Sequence, residues 1–168
     1  RGATVPNQQQ HVGALVGNLV GSVRLLGVTD PSGVSAMTAV TDYWASHQAH
    51  QFDVEMSAAE SLEVLEQRFD TYPGARELLP CDHQGSILDY GCGPGHDTIA
   101  FLLGGAHHVY AADISLHGLT MLHRRLVAHD LTDRCTLMLV PEIGDWAPPP
   151  VDHVHCAGVL HHVSAPGA

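Results

Sequence analysis

The chain has no lysine. All seven basic residues among its 168 are arginines, against eighteen acidic ones, for a formal net charge of −11 with the histidines neutral. No stretch gathers arginines densely enough to follow a phosphate backbone, so the expectation is that nucleic acid is not a partner. Paired cysteines are also missing. Cys81, Cys92, Cys135 and Cys156 stand apart with no Cys-x-x-Cys, which argues against a disulfide framework or a zinc knuckle and for reduced thiols in a cytoplasmic protein. A clean long apolar run is absent too. Residues 12–28 are apolar and carry Gly13, Gly17 and Gly21 at small-residue spacing, but Asn18 and Arg24 interrupt them, and neither a basic start nor a small-residue cleavage site frames them. The expectation is no membrane span.

Histidine is abundant, fourteen in all, yet the spacings do not make a metal site. His117, His123 and His129 fall six apart and do not share a helix face as an i, i+4 pair would. His153 and His155 can share one face of a strand, but no third ligand is placed beside them. The expected metal content is none.

Along the chain the character changes twice. Residues 1–36 run from a polar start through the glycine-punctuated stretch to the turn Asp30-Pro31-Ser32-Gly33, and Met37 directly precedes the first segment that reads as enzyme. They are expected to form an extension outside the functional domain. Residues 37–83 read as a helical or lid segment. Ser57 and Glu60 have capping-box spacing, Leu62, Leu65 and Phe69 supply an apolar face, and Pro73-Gly74 ends the helix. Tyr43, Trp44 and Phe52 read equally as a lid over a ligand or as ordinary packing.

From residue 84 to 168 strands and helices alternate. Strands are expected at Ser86–Tyr90, His108–Ala112, Cys135–Val140 and Val151–Ala157, and helices from about His96 to Leu103 and from Ser115 to about His129. This order predicts an α/β fold, a Rossmann-like parallel sheet flanked by helices, with the ligand at the carboxyl ends of the strands.

The site candidates gather at those ends. Ile87-Leu88 is an apolar strand, Asp89 follows, and Gly91, Gly93 and Gly95 form a turn in which backbone can approach a ligand closely. Asp113 ends the next strand, 22 positions after Gly91 (91 to 113), where a carboxylate can accept hydrogen bonds from both ribose hydroxyls of a nucleoside; it also reads as a cap for the helix that follows. A dinucleotide fingerprint would put its third glycine at position 96, which here is His96. The early Gly95 and the acidic Asp89 suit a cationic amino-acid portion better than a pyrophosphate, which Asp89 would repel.

The stretch Ile87-Leu88-Asp89-Tyr90-Gly91-Cys92-Gly93-Pro94-Gly95, followed by Val109-Tyr110-Ala111-Ala112-Asp113-Ile114-Ser115, resembles the class I S-adenosylmethionine-dependent methyltransferases. Gly144-Asp145-Trp146 resembles the family's loop after the third strand. Val151 to Val163, with Val159-Leu160-His161-His162, resembles its fourth strand and the loop common in its small-molecule branches. The resemblance implies S-adenosylmethionine as cofactor and a small-molecule methyl acceptor. It implies that Asp89 orients the methionine amino group, that Gly91, Cys92, Gly93 and Gly95 form the cofactor loop, and that Asp113 holds the ribose. Ile114, Asp145 and Trp146 would contact adenine, and His161 and His162 lie where an acceptor proton would be taken. A full member of the family continues for three more strands, so the resemblance also implies a partial chain. Two other readings accompany it: a nicotinamide-dependent oxidoreductase with a divergent loop, and a non-catalytic S-adenosylmethionine-binding module.

Overall fold

A computed structural model describes residues 23–25, 43–44, 56–74, 85–140 and 147–160. Five parallel strands form one sheet: β1 (Val23–Leu25), β2 (Ser86–Tyr90), β3 (His108–Asp113), β4 (Cys135–Leu139) and β5 (His153–His155), in the order β1-β4-β3-β2-β5. Among the described residues, α1 (Ala58–Thr71), α2 (His96–Leu103) and α3 (Leu116–Ala128) accompany them. The expected Rossmann-like α/β fold is the one observed. Val23–Leu25 fall in the segment read from sequence as an N-terminal extension, and they lie in the sheet, paired with Leu137–Leu139 of β4. The rest of the apolar run 12–28 lies outside the described residues. Among the described residues no helix is long and apolar enough to cross a membrane.

The strands alternate faces with period two. Ile87, Val109, Ala111 and Leu137 point toward the helices and are almost completely buried against Leu65 and Phe69 of α1, Ile99, Phe101 and Leu102 of α2, and Leu119, Leu122 and Leu126 of α3. Leu88, Ala112 and Met138 point the other way and form a smaller cluster with Val140, flanked by Tyr90, Tyr110, Ile114 and Val151. Each fully buried Ile or Leu contributes about 1.5–3 kcal/mol relative to exposure, which makes the helix-side cluster the main stabilising layer.

Local chemistry sets the helix ends. Ser57 Oγ accepts from the Glu60 amide at 3.3 Å while the Glu60 carboxylate accepts from the Ser57 amide at 2.8 Å, the reciprocal capping box expected from the sequence. Ser115 caps α3 through the Gly118 amide at 3.1 Å. After β2, β3 and β4 step outward in one direction, whereas β5 crosses to the other side of β2. The strand order therefore reverses beside β2, and in open α/β sheets ligands bind at such a reversal, outside the carboxyl ends of the strands.

Candidate functional site

At this reversal point the chain leaves β2 through Gly91, Cys92, Gly93, Pro94 and Gly95 and enters α2. The three glycines have φ of +74°, +52° and +80°, a region costly for any residue with a Cβ. The amides of Gly91 and Cys92 both donate to the Ala112 carbonyl, at 2.7 and 3.1 Å, and the Gly95 amide donates to the Cys92 carbonyl at 2.9 Å. The loop is thereby stitched to the end of β3. A Cβ on Gly95 would meet Leu122 Cδ1 at 2.2 Å, so this glycine lets α2 pack on α3. A Cβ on Gly91 would meet Val159 Cγ2 at 2.0 Å, so the loop after β5 rests directly on the first glycine.

Asp113 joins the loop to the turn after β3. Its Oδ2 accepts from the Gly93 amide and its Oδ1 from the Ser115 amide, both at 2.7 Å. Burial pushes this carboxyl above the usual range, and the Ser115 and Gly93 amides pull against that rise. The Ile114 amide is a third backbone donor to this carboxyl, which leaves one of its four lone-pair sites for a ligand. The helix cap proper is Ser115, so the alternative reading of Asp113 as a simple cap covers only half of what it does.

Asp89 sits on the helix-covered face, 2% exposed, with Oδ2 accepting from Thr98 Oγ1 at 2.5 Å. Burial pushes it up to about 6; the Thr98 bond opposes the rise and the neighbouring Asp97 adds to it. Next to it runs a half-buried ionic chain. Arg68 of α1 forks onto Asp97 in the first turn of α2, at 2.8 and 2.7 Å, and His155 of β5 contacts the same carboxylate at 3.0 Å. Burial alone would raise Asp97, but the His155 and Arg68 hydrogen bonds prevail and bring it down to about 2. The same Asp97 bond raises His155.

Cys92 contributes its backbone to the loop, while its side chain packs in the helix-side core. Burial, reinforced by Asp113 and Asp89, keeps its thiol protonated. Ile114 packs against the cluster on the opposite face of the sheet. Tyr43 and Trp44 meet edge to face with ring centroids 5.1 Å apart. Asp145, Trp146, His161, His162 and Phe52 lie outside the described residues. Among the described residues no group of three or more His, Cys, Asp or Glu side chains is placed to hold a metal.

The structure thus brings Asp89, Gly91, Cys92, Gly93, Gly95 and Asp113 together at the ends of β2 and β3. It adds Thr98, Arg68, Asp97 and Arg125, which the sequence reading did not single out, and gives His155 and Val159 contacts that the sequence did not show. Thr98 had a local signal, three positions after Gly95 on the first helical turn. Asp97 lies beside it in the same turn, and the others come from elements distant in sequence. Chemically, two carboxylates flanking a glycine-rich loop suit a ligand with vicinal hydroxyls at one end and a cationic group at the other.

Residues 87–168 match the family model described as a methyltransferase domain. No curated protein sequence matches the chain. Several solved structures do. The complex of aTrm5 with tRNALeu is 21% identical over 49% of this chain and 23% of that one, with a TM-score of 0.42. A Pyrococcus horikoshii protein described as an RNA methyltransferase is 15% identical over 89% of this chain and 59% of its own, TM-score 0.40. The glycopeptide N-methyltransferase MtfA complexed with sinefungin is 19% identical over 96% of this chain and 53% of its own, TM-score 0.44. The chain spans less than two thirds of each of these three proteins. The expectation of a small-molecule acceptor with nucleic acid excluded is corrected here, because two of the three are described by RNA or tRNA. Net charge is a property of the whole chain, whereas phosphate contacts need only a local basic surface.

Proposed function

We propose, from the match of residues 87–168 to a methyltransferase domain, that this chain is a class I S-adenosylmethionine-dependent methyltransferase that binds S-adenosylmethionine over the glycine loop and transfers the methyl group to an acceptor nucleophile. The observation that carries the reading is the bond from the Gly93 amide to Asp113 at 2.7 Å, which makes the loop and the acid at the next strand end a single unit.

The donor set fits this cofactor. Asp113 keeps acceptor capacity for a ribose hydroxyl beside its bonds to the Gly93, Ser115 and Ile114 amides, and no side chain stands on Gly91 or Gly93 between that acid and Asp89. Asp89 would hold the amino group of the methionine portion, and its ionised form is the one such a cation favours. Gly91 and Gly93 would admit the ligand to van der Waals contact with backbone, and Ile114, Asp145 and Trp146 would line the adenine. When bound, the cofactor supplies an electrophilic methyl on a sulfonium. The protein then needs chiefly to align the acceptor and exclude water. His161 and His162 would take a proton from an acceptor that must lose one.

The test is calorimetric titration of the full chain with S-adenosylmethionine, S-adenosylhomocysteine and NAD, followed by a methyl-release assay. The acceptor panel includes tRNA, a glycopeptide and small amines and phenols. Heat with the two sulfur nucleosides and none with NAD supports the reading, and the reverse pattern would reassign the site to a dehydrogenase.

A further inference from the structure

We propose that Arg125 is a positioning residue for the cofactor loop: a buried guanidinium that fixes the Pro94–His96 turn against α1 and so sets the loop conformation on which binding depends. The inference rests on the cofactor reading above and extends it to a residue on the far side of the loop. Arg125 lies in α3 and is 3% exposed. Its Nε donates to Ser61 Oγ at 2.9 Å and its Nη2 to the Ser61 carbonyl at 3.2 Å. Its Nη1 donates to the Pro94 carbonyl at 3.0 Å and lies 3.2 Å from His96 Nδ1. Four of the five guanidinium N–H groups are thereby directed at partners in two other elements.

None of these four partners is a carboxylate. A cation buried among neutral acceptors gives up hydration without an ion pair in return, so it is a poor choice where only packing is required. Packing between α1 and α3 is already supplied by Leu65, Phe69, Leu119, Leu122 and Leu126. What the guanidinium adds is geometry. Its planar fork can address the Pro94 carbonyl, the ring nitrogen of His96 and both oxygens of Ser61 at once, which an ammonium on a flexible stem does not reproduce. His96 stays neutral and able to accept, since burial and then Arg125 itself push it down to about 3. Ser61 is fully buried in α1, upstream of the residues that match the methyltransferase domain. The loop's backbone is therefore held from the front by Asp113 and from behind, through Arg125, by a helix outside the matched region.

The test compares the full chain with Arg125→Lys, Arg125→Met and Ser61→Ala. Binding of S-adenosylhomocysteine is titrated, and amide hydrogen exchange is followed at Gly91–Gly95 in the free proteins. Arg125→Met is expected to weaken binding by about tenfold or more, as the orphaned carbonyls release the turn, with Arg125→Lys intermediate. Exchange should quicken at Gly91, Gly93 and Gly95 while β3 and α3 keep their protection. Unchanged affinity and loop exchange in a folded Arg125→Met protein overturn the proposal; where that variant does not fold, the same result in Arg125→Lys overturns it. Faster exchange spread evenly over sheet and helices also overturns it, because it marks Arg125 as general packing. If the parent chain binds no S-adenosylhomocysteine, the cofactor reading fails on its own, and exchange at Gly91–Gly95 still decides the role of Arg125.

Discussion

Asp89 is the residue at which stability and binding pull apart. A buried carboxyl raised to about 6 binds its proton more tightly in the folded chain than in the unfolded one. Its stabilising contribution is therefore present below the ordinary carboxylate range, near 4, and is lost as pH rises through about 6. Asp89→Asn keeps an oxygen for Thr98 and removes the ionisation. It should stabilise the chain above pH 6, by on the order of 1–3 kcal/mol, and leave it nearly unchanged at about pH 4. Urea melts at the two pH values read this directly, and equal effects at both would refute it. Cofactor affinity should fall in the same variant, since the cation loses its counter-charge. The Arg68–Asp97–His155 chain has the opposite sign for its acid. Asp97, held near 2, contributes stability present above its ordinary range and lost as pH falls through about 2. His155, raised by Asp97, contributes stability fully present below about 6.5 and lost as pH rises through its higher folded value. His155→Gln should remove that alkaline loss, seen as a flatter melting temperature above neutrality.

At the scale of elements, the glycine loop is held by contacts that a single methyl group would break. Gly95→Ala combines a left-handed backbone with a Cβ 2.2 Å from Leu122 Cδ1 and should cost about 2–4 kcal/mol in denaturant melts. Gly91→Ala puts its methyl group 2.0 Å from Val159 Cγ2, and adding Val159→Ala should recover part of the loss but not the part due to φ of +74°. Full recovery would show that the backbone there carries no strain; no recovery would show that Val159 does not sit on the loop. These elements were legible from sequence to the extent that their signals are local. The capping box of Ser57 and Glu60 and the cap Ser115 act within one turn of chain, and the alternation of strands and helices and the spacing from Gly91 to Asp113 are patterns of the linear sequence. Contacts between distant elements left no such trace. Arg68 and Asp97 are 29 residues apart, Arg125 and Ser61 64, and His155 and Asp97 58, so nothing short of the fold brings them together. Val23–Leu25 read as part of an extension because their pairing with β4 spans more than a hundred residues. Asp145, Trp146, His161 and His162 rest on resemblance alone.

For the molecule as a whole, the order β1-β4-β3-β2-β5 places the glycine loop, Asp113 and the start of the loop after β5 at the carboxyl ends of adjacent strands, and the family match covers those residues. The central claim concerns the cofactor, and it stands or falls on Asp113. Calorimetric titration of S-adenosylmethionine into the full chain and into Asp113→Ala, each shown folded by circular dichroism, tests it most directly. The account predicts saturable binding to the parent chain and its loss in Asp113→Ala; a folded parent that binds nothing, or a variant that binds as well as the parent, would contradict it.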